Sequence, residues 1–408
     1  MSKVLVVGGG AAGMMAAISA AEQGAEVVVL EKNRYLGRKL GITGKGRCNV
    51  TNDSDIETLM KNIARNSRFM YSSLSAFDAR DVMAFFEELG VPLKTERGQR
   101  VFPVSDKAGD VVRALDKRLK ELKVRIERGE AHSLIIEDGC CCGVRSGSKE
   151  YRADGVIVAT GGKSYPVTGS DGAGYILAKQ AGHSVVTPVP SLSALETKQR
   201  WVSKAAGLTL KNISMCLYNG EKRVYEDFGE LMFADYGISG PTVLSASAHI
   251  DGIERGSYSI VIDLKPALSE KQLDARILRD FGERHGMKFG ESLRGLLPAQ
   301  LTSVVVEETG IDPEKRVDEV SKAERQRLLS VLKGLRLDIT AFRPIAEAIV
   351  TRGGVSVKEI SPKTMESKLC SGLYFAGEVI DVDAYTGGFN LQIAFSTGRA
   401  AGIAAAWR

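Results

Sequence analysis

The chain has 408 residues, of which 44% are hydrophobic and 26% are charged, a balance typical of a soluble globular protein with two or three domains. Its 55 cations and 50 acids give a net charge of +5 that is spread over the whole length. Composition alone therefore gives no reason to expect a nucleic acid or an anionic membrane as a partner.

Targeting segments, membrane spans and metal sites are not expected. Three glycines interrupt the N-terminal apolar run where a signal peptide needs continuous apolar residues, and no stretch of roughly eighteen apolar residues occurs elsewhere. The run of cysteines at 140–142 falls in a predicted hairpin strand, where neighbours point to opposite faces and cannot converge on one metal. No CxxC or HExxH spacing occurs, so free thiols in a reducing cytoplasm are expected.

The first 31 residues predict a βαβ unit. The short apolar strand KVLVV is followed by Gly8-x-Gly10-x-x-Gly13, a helical segment, and a second strand that ends at Glu31. Gly8 permits the tight turn, Gly10 lets the backbone approach a pyrophosphate, and Gly13 allows the helix to pack closely on the strand. Glu31 stands where a carboxylate can bind ribose hydroxyls. This pattern alone fits either NAD or FAD.

Two later segments favour FAD. ADGVIVATGG, residues 153–162, predicts a buried strand that ends in a glycine-rich turn, and residues 371–402 contain a second such strand followed by a small-residue helix. Parallel strands bind ligands beyond their carboxyl ends. Three strands that each end in glycine suit a ligand longer than one nucleotide.

The segment GRKLGITGKGRCNVTN, residues 37–52, combines four glycines and four cations without an acid. A phosphate cradle, a nucleic-acid patch and a flexible loop are the alternatives. The spacing excludes a Walker A loop, and the lack of interleaved aromatics argues against nucleic acid. The segment closely follows the predicted ribose-binding acid, so Lys39, Lys45 and Arg47 are expected to supply charge for the pyrophosphate and the flavin edge. Cys48 is either a thiolate of lowered pKa or, as we prefer, a packing residue.

These segments resemble the two-part FAD domain of flavoproteins. GGGAAG, the loop 37–52, GISGPTVL, TMESKLCSGLYFAGEVIDVD and TGGFNLQIAFSTG are similar to motifs of the BaiN/aminoacetone-oxidase-like (YhiN-type) family of FAD-dependent oxidoreductases, over nearly the full chain. Part of the chain also resembles the wider fumarate reductase and ketosteroid dehydrogenase group. The resemblance implies FAD as cofactor and NADH or NADPH as electron donor. The residues expected to bind FAD are Gly8, Gly10, Ala11, Ala12, Gly13, Glu31, Lys32, Lys39, Gly44, Lys45, Arg47, Cys48, Asn49, Ala131, Thr160, Gly161, Gly162, Gly377, Glu378, Gly388, Asn390 and Leu391.

The predicted fold class is α/β, with a two-part FAD-binding Rossmann-like domain, an inserted β-rich subdomain and a helical cap. The FAD domain is placed at residues 1–190 and 345–408, the β-rich subdomain at 191–264 and the helical cap at 265–344. An Asn-Gly hairpin signal marks the first part of the insertion, and two capping-box patterns mark the second. The helical part is interpreted as a cover for the flavin, with a dimerisation module as the alternative.

Catalytic groups are less visible than the cofactor motifs. The loop before the C-terminal helix offers two candidate proton donors, Tyr385 and Asp383, and weaker candidates are Arg100, Asp235 and Tyr236. The four histidines lie in unrelated contexts and are expected to be structural.

The resemblance leaves three function classes open. Fumarate reductases have a His-x-Thr-x-Gly-Gly element that helps to hold a dicarboxylate, and Ile349 occupies the histidine position here, which favours an apolar substrate. The preferred class is NAD(P)H-dependent reduction of a C=C bond conjugated to a ketone, as in 3-oxo bile acids or steroids. The alternatives are a peroxide-producing oxidase of a small amine such as aminoacetone, and a non-enzymatic flavoprotein. A small apolar molecule is the expected partner, without nucleic acid or membrane.

Overall fold

A computed structural model describes residues 2–408, and the chain divides into two compact units. Met1–Ser191 and Pro344–Arg408 form the first unit, and Leu192–Arg343 form the second. The predicted α/β class is confirmed, because the first unit contains a five-stranded parallel sheet with helices and the second contains a closed β-barrel.

The strands are numbered in chain order. They are β1 Lys3–Val7, β2 Glu26–Glu31, β3 Thr51–Asn52, β4 Ile63–Arg65, β5 Leu93–Glu96, β6 Arg100–Pro103, β7 Arg125–Arg128, β8 Ser133–Glu137, β9 Cys140–Ser146, β10 Lys149–Arg152, β11 Gly155–Val158, β12 Val185–Ser191, β13 Leu195–Thr197, β14 Thr209–Asn219, β15 Lys222–Ala234, β16 Gly237–Ser239, β17 Tyr258–Asp263, β18 Leu335–Phe342, β19 Val350–Val355, β20 Leu373–Phe375 and β21 Asp383–Ala384.

The α-helices are numbered in the same way. They are α1 Ala11–Glu22, α2 Ile56–Lys61, α3 Ser67–Ala76, α4 Ala79–Glu88, α5 Ala108–Glu121, α6 Ala173–Gln180, α7 Pro241–Ser247, α8 Glu270–Glu283, α9 Phe289–Ser292, α10 Ala299–Thr309, α11 Lys322–Lys333 and α12 Phe389–Ala406.

The main sheet of the first unit has the order β20-β11-β1-β2-β7, and all its strand pairs are parallel. Strands β1, β11 and β20 are buried almost throughout, as expected for a sheet covered on both faces. The strands predicted at residues 3–7, 155–158 and 373–375 are therefore direct neighbours, and their carboxyl ends meet at one edge.

The first and last long helices of the first unit pack closely against each other. A Cβ atom on Gly398 would lie 2.4 Å from the carbonyl oxygen of Ala12, and one on Gly402 would lie 2.2 Å from that of Ala16. The glycines of α12 thus let the two helix backbones approach more closely than any side chain would allow. This packing places the C-terminal helix on the N-terminal βαβ unit.

The second unit is a six-stranded barrel of order β13-β16-β15-β14-β17-β18 with helices α7 to α11. The predicted hairpin turn is present at Asn219, and Ser269 and Ser321 form the predicted capping boxes with Gln272 and Glu324. One prediction was wrong. The segment 335–342 was assigned to the helical part, but it is strand β18, which pairs with β13 and β17 and completes the barrel.

Other sequence expectations concern membrane spans and cysteines. Within residues 2–408, no helix has the length and apolar character needed to cross a bilayer. Strand β9 pairs with β8 and β10, so the run of cysteines at 140–142 does lie in a hairpin strand. All six cysteines are free thiols, and no group of three or more potential metal ligands occurs among the described residues.

The close approach at the first glycine turn generates a prediction. A Cβ atom on Gly13 would lie 1.8 Å from the carbonyl oxygen of Gly8, whereas one on Gly109 in α5 would meet only the flexible end of Arg113. We expect Gly13→Ala to lower the free energy of unfolding by about 1–3 kcal/mol or to prevent folding. The control Gly109→Ala should be neutral or stabilising by up to about 1 kcal/mol. Urea unfolding is the measurement, and equal stability of the two variants would contradict the packing.

Candidate cofactor site

Three glycine-bearing loops meet where β1, β11 and β20 end. Gly8 has a φ angle of 100°, and a Cβ atom there would lie 2.7 Å from the carbonyl oxygen of Ala159. Gly161 and Gly377 each have a φ angle of 75°. The turns at all three strand ends thus require glycine, and they bring the backbones of distant segments together at the sheet edge where α/β proteins bind ligands.

The N-terminus of α1 is open toward this edge. Gly10 precedes the helix in an extended conformation, no side chain caps it, and a Cβ atom on Gly10 would meet nothing within 4 Å. The first amides of the helix, at Ala11 and Ala12, carry the positive end of the helix dipole. This arrangement suits a pyrophosphate group.

Glu31 lies buried at the end of β2, beside the glycine turn. Its Oε2 accepts a hydrogen bond from the backbone N–H of Gly9 at 2.7 Å, and its Oε1 accepts from the backbone and side-chain N–H groups of Asn33, both at 2.7 Å. The carboxylate is thereby held in one orientation at the place predicted for a ribose. Asn33 was not recognised in the sequence, because short polar residues after a strand are common in any loop.

Lys39 and Glu378, both predicted cofactor ligands, bind each other. The Nζ atom of Lys39 lies 2.7 Å from Oε2 of Glu378 and 2.6 Å from the hydroxyl of Ser164. Oε1 of Glu378 accepts from the Ser164 hydroxyl at 3.0 Å and from the backbone N–H of Thr351 at 2.9 Å. We call these four residues the Glu378 cluster. A Cβ atom on Gly162 would lie 2.4 Å from the Thr351 hydroxyl, so glycine at 162 is required by the cluster.

Arg47, a predicted cofactor ligand, is paired with two carboxylates of the protein itself. Its guanidinium donates to Asp106 at 2.8 Å and to Glu96 at 2.5 Å, and it lies 4.1 Å from the ring centre of Phe102. The hydrogen bonds from Lys94 and Arg47 hold the pKa of the Asp106 carboxyl below its usual value. The charge of Arg47 is compensated locally, so Arg47 orders the loop, while Lys45 in the same loop is exposed.

The thiolate interpretation of Cys48 was wrong. The side chain is fully buried, and burial raises its pKa to about 12, so it is a neutral thiol at physiological pH. Its role is packing beneath the loop. The next residue, Asn49, carries a buried side-chain oxygen that has no hydrogen-bond partner, and Gly44 lies against its backbone.

The loop 37–52 also contacts the N-terminus of α12. The Thr51 hydroxyl donates to the side chain of Gln392 at 2.5 Å, and the Asn52 side chain donates to the carbonyl of Gly387 at 3.0 Å. Gly388 has a φ angle of 102°, and a Cβ atom there would lie 2.3 Å from the carbonyl of Thr51. The glycine pair predicted before α12 therefore lets this loop reach the positive end of the helix.

Asn390 holds the loop that carries the two candidate proton donors. Its side chain accepts from the backbone N–H of Ala384 at 3.0 Å and donates to the carbonyls of Ala384 at 2.7 Å and Tyr385 at 3.2 Å. Asp383 is fully buried and Tyr385 is half-buried. The neighbour of Asn390 in α12, Leu391, is half-buried.

The remaining predicted residues are Lys32, Ala131 and the weaker catalytic candidates. Lys32 pairs with Asp171 at 2.5 Å, and Ala131 is buried after β7. The weaker catalytic candidates do not share one location. Arg100 is exposed in the first unit, whereas Asp235 and Tyr236 belong to the second unit.

One histidine forms a polar chain that the sequence did not reveal. Nε2 of His183 lies 2.7 Å from the hydroxyl of Ser367, and Nδ1 lies 3.3 Å from a carboxylate oxygen of Glu359. The arrangement has the order of a catalytic triad, but His183 and Ser367 are buried, and the serine oxygen also accepts from two backbone N–H groups. Burial lowers the pKa of His183, which keeps it neutral. The burial of both residues favours a structural role for this polar chain.

Buried polar atoms without a partner test whether a cofactor fits this edge. Several of them lie in the segments that follow β11 and β20 and in the loop 37–52, where a large polar ligand would supply the missing hydrogen bonds. These atoms are Asn49 Oδ1, Thr160 Oγ1, Ser170 Oγ, Tyr175 Oη, Asp381 Oδ1 and Asp383 Oδ1. With an open helix N-terminus, an oriented Glu31 and the Glu378 cluster, the residues present fit a dinucleotide.

The fold and this site define a Rossmann-type FAD-binding protein. Residues 2–404 match the family model described as HI0933-like protein Rossmann domain, and the chain belongs to that family. It is a flavin-dependent oxidoreductase with FAD as its cofactor, as the family resemblance implied.

Full-length relatives and solved structures agree with this class. The chain is 33% identical to the 3-dehydro-bile acid delta(4,6)-reductase of Clostridium scindens, over 100% of both chains. It is 29% identical to the ribosomal RNA dihydrouridine synthase of Haemophilus influenzae, over 98% of both chains. The structure of 3-ketosteroid-delta4-(5alpha)-dehydrogenase from Rhodococcus jostii RHA1 is similar in fold, with a TM-score of 0.53, 17% identity, and coverage of 99% of this chain and 97% of that one.

The orientation of Glu31 predicts its effect on FAD binding. We expect Glu31→Ala to weaken FAD binding at least about tenfold, because each charge-assisted hydrogen bond to a ribose is worth ~1.5–3 kcal/mol. Glu31→Gln should have an intermediate effect. The control Glu26→Ala lies at the exposed start of the same strand, where it pairs with Arg125. FAD retained after dialysis is the measurement, and equal retention by Glu31→Ala and wild type would show that another residue holds the ribose.

Proposed function

We propose that this protein uses FAD to reduce a carbon–carbon double bond conjugated to a carbonyl group in an apolar substrate, with NADH or NADPH as electron donor. The observation that carries the proposal is the setting of Ile349. Its carbonyl accepts a hydrogen bond from Ser164 of the Glu378 cluster at 3.3 Å, and its apolar side chain is 38% exposed. An apolar group therefore borders the predicted cofactor site where the resembling fumarate reductase element has a histidine.

The name of the full-length relative at 33% identity supports the same chemistry. That relative is a delta(4,6)-reductase of a 3-dehydro-bile acid, and its name describes saturation of double bonds in an oxo-steroid. A 3-oxo bile acid or steroid is therefore the leading substrate class for this chain.

The reaction adds one hydride and one proton across the double bond. Bound FAD would supply the hydride after reduction by the nicotinamide. Glu31, Lys39 and Glu378 would hold the cofactor, and the open N-terminus of α12 would stabilise negative charge by about 0.3–1 kcal/mol. Tyr385 and Asp383 are the proposed proton donors for the α-carbon, on a loop that Asn390 holds in place.

The proposal is tested by the mass of the product. We expect purified protein, NADPH or NADH and a 3-oxo-Δ4 steroid to give a product that is two mass units heavier, because a hydride and a proton are added. Tyr385→Phe should lower turnover by about 10²–10⁴-fold if its hydroxyl donates the proton, with FAD still bound. A heavier product from the steroid would support the proposal. Peroxide formed from a small amine, with no reduced steroid, would support the oxidase alternative instead.

A second substrate class is favoured by a separate observation. The relative at 29% identity, and another from Escherichia coli at 26% identity over 96% of this chain and 95% of that one, are ribosomal RNA dihydrouridine synthases. Dihydrouridine is uridine with a saturated double bond beside a carbonyl, so the chemistry is the same.

Of the 55 cations and 50 acids, 22 of each lie in residues 192–343, which leaves the whole net charge of +5 on the FAD-binding unit.

The position of the exposed cations allows the two classes to be separated. Lys45, Arg97 and Arg100 are exposed, and the turn that carries the two arginines contacts the loop 37–52 through Asn52. If uridine in ribosomal RNA is the substrate, Lys45→Glu with Arg97→Glu should weaken RNA binding by about tenfold or more and reduce its salt dependence. The control is Lys271→Glu, an exposed cation of the second unit. Filter binding of a ribosomal RNA transcript at several salt concentrations is the measurement, and identical binding by all variants would exclude this surface.

A further inference from the structure

The side-chain amide of Asn33, in the loop after β2, is bound at both of its ends. Its Nδ2 donates to Oε1 of Glu31 at 2.7 Å and to the carbonyl of Thr168 at 3.2 Å, and its Oδ1 accepts from the guanidinium of Arg38 at 2.8 Å. Glu31 and Thr168 present only acceptors to this amide, and a guanidinium presents only donors. The amide therefore has a single orientation that satisfies all three partners, and a carboxylate could not replace it.

The carbonyl that holds the amide belongs to a tight turn after β11. The backbone N–H and the hydroxyl of Thr168 both donate to the carbonyl of Tyr165, at 2.9 Å and 2.7 Å. Gly169 follows with a φ angle of 106°, and a Cβ atom there would lie 2.4 Å from Nδ2 of Asn33. Glycine is required at 169 both by the backbone conformation and by the space that the amide occupies. The turn thus presents a fixed carbonyl to the loop after β2.

Two further contacts hold the turn in place. At its far end, Asp171 pairs with Lys32, the residue beside Asn33, at 2.5 Å. At its near end, the backbone N–H of Ser164 donates to the hydroxyl of Thr351 at 3.1 Å within the Glu378 cluster. The segment 164–171 therefore joins the Glu378 cluster to the loop that carries Asn33.

Asn33 occupies one of the two carboxylate oxygens of Glu31. Oε1 accepts from the backbone and the side-chain N–H groups of Asn33, whereas Oε2 accepts only from the backbone N–H of Gly9. Within residues 2–408, no other donor binds this carboxylate. Since each carboxylate oxygen accepts about two hydrogen bonds, Oε1 is saturated and one acceptor position remains on Oε2.

We propose that Asn33 is a positioning residue that orients Glu31 so that only Oε2 binds the cofactor, and that this carboxylate consequently binds one ribose hydroxyl of FAD rather than two. A carboxylate that rotates freely could accept hydrogen bonds from both hydroxyls of a ribose. Here Thr168 fixes the amide, and the amide fixes the carboxylate. The inference concerns cofactor binding alone, so it holds whichever double bond the protein reduces.

FAD analogues that lack one hydroxyl of the adenosine ribose test the proposal without any variant. We expect one of the two analogues, 2′-deoxy-FAD or 3′-deoxy-FAD, to bind the apoprotein about tenfold or more weakly than FAD, because it lacks the hydroxyl that Oε2 accepts. The other analogue should bind as tightly as FAD. In Glu31→Ala all three cofactors should bind alike, because the acceptor is absent. Quenching of flavin fluorescence at neutral pH is the measurement.

Two results of this titration would overturn the proposal. Equal weakening of both analogues in the wild type would show that the carboxylate binds both hydroxyls. Binding of both analogues with the affinity of FAD would show that it binds neither.

The positioning role of Asn33 is tested by the pH dependence of FAD binding. Asn33→Asp replaces the donors beside Oε1 of Glu31 by a second carboxylate, so at neutral pH FAD should bind about tenfold or more weakly than to the wild type. Two carboxylates in contact raise the pKa of the pair, so one of them takes up a proton as the pH falls and donates it to the other. The difference from the wild type should therefore shrink at low pH. Asn33→Ala, which has no donor at any pH, should remain weak throughout.

The matched control makes the same chemical change elsewhere. Asn212→Asp, at an exposed position of β14 in the second unit, should bind FAD like the wild type at every pH. Circular dichroism of each apoprotein checks that it folds, and the analogue titration decides the question if Asn33→Asp does not fold. A merely structural role of Asn33 would give its two variants the same pH profile, and that result would overturn the positioning role. Wild-type affinity of both variants at neutral pH would overturn it as well.

Discussion

The close approach of α1 and α12 is the constraint on which the cofactor site depends. Gly398 and Gly402 bring the backbone of the C-terminal helix against Ala12 and Ala16. Because of this contact, the end of the chain packs beside the helix that follows the first strand. An insertion of 152 residues can separate the two parts in sequence without changing the site, since the packing of the two helices brings the parts together.

The Glu378 cluster joins the loops that this packing collects. Lys39, Ser164 and Thr351 come from three separate segments, and all bind one carboxylate. Half-buried charges of this kind are stable only when they are paired and hydrogen-bonded. The pairing orients Glu378 and places the charge of Lys39 beside it.

Sequence reasoning succeeded where the signal is local. The glycine turn after β1, the hairpin turn at Asn219 and the capping boxes each depend on a few adjacent residues, and all are present. Ion pairs between distant segments carry no such signal. The acidic partners of Arg47 lie 49 and 59 residues further along the chain. The positive charge of the loop is therefore largely compensated, although the sequence showed it as free.

The misassignment of strand β18 has a different cause. Its alternating pattern, with Leu335, Leu337 and Ile339 buried, was present in the sequence. It follows helix α11 after a single glycine, so the helical period was extended across a boundary that Gly334 marks.

The full-length relatives are named for substrates as different as a bile acid and ribosomal RNA. Saturating a double bond beside a carbonyl requires a hydride and a proton at fixed positions, and neither requirement refers to the rest of the substrate. The cofactor edge and the Glu378 cluster both lie within the first unit. Under the proposed function, substrate choice would vary through apolar side chains such as Ile349 and through exposed cations such as Lys45, while the cofactor chemistry would stay the same. Ile349 and Lys45 are both accessible on the first unit, so under the proposed function the balance between apolar contact and phosphate attraction would favour one substrate class over the other.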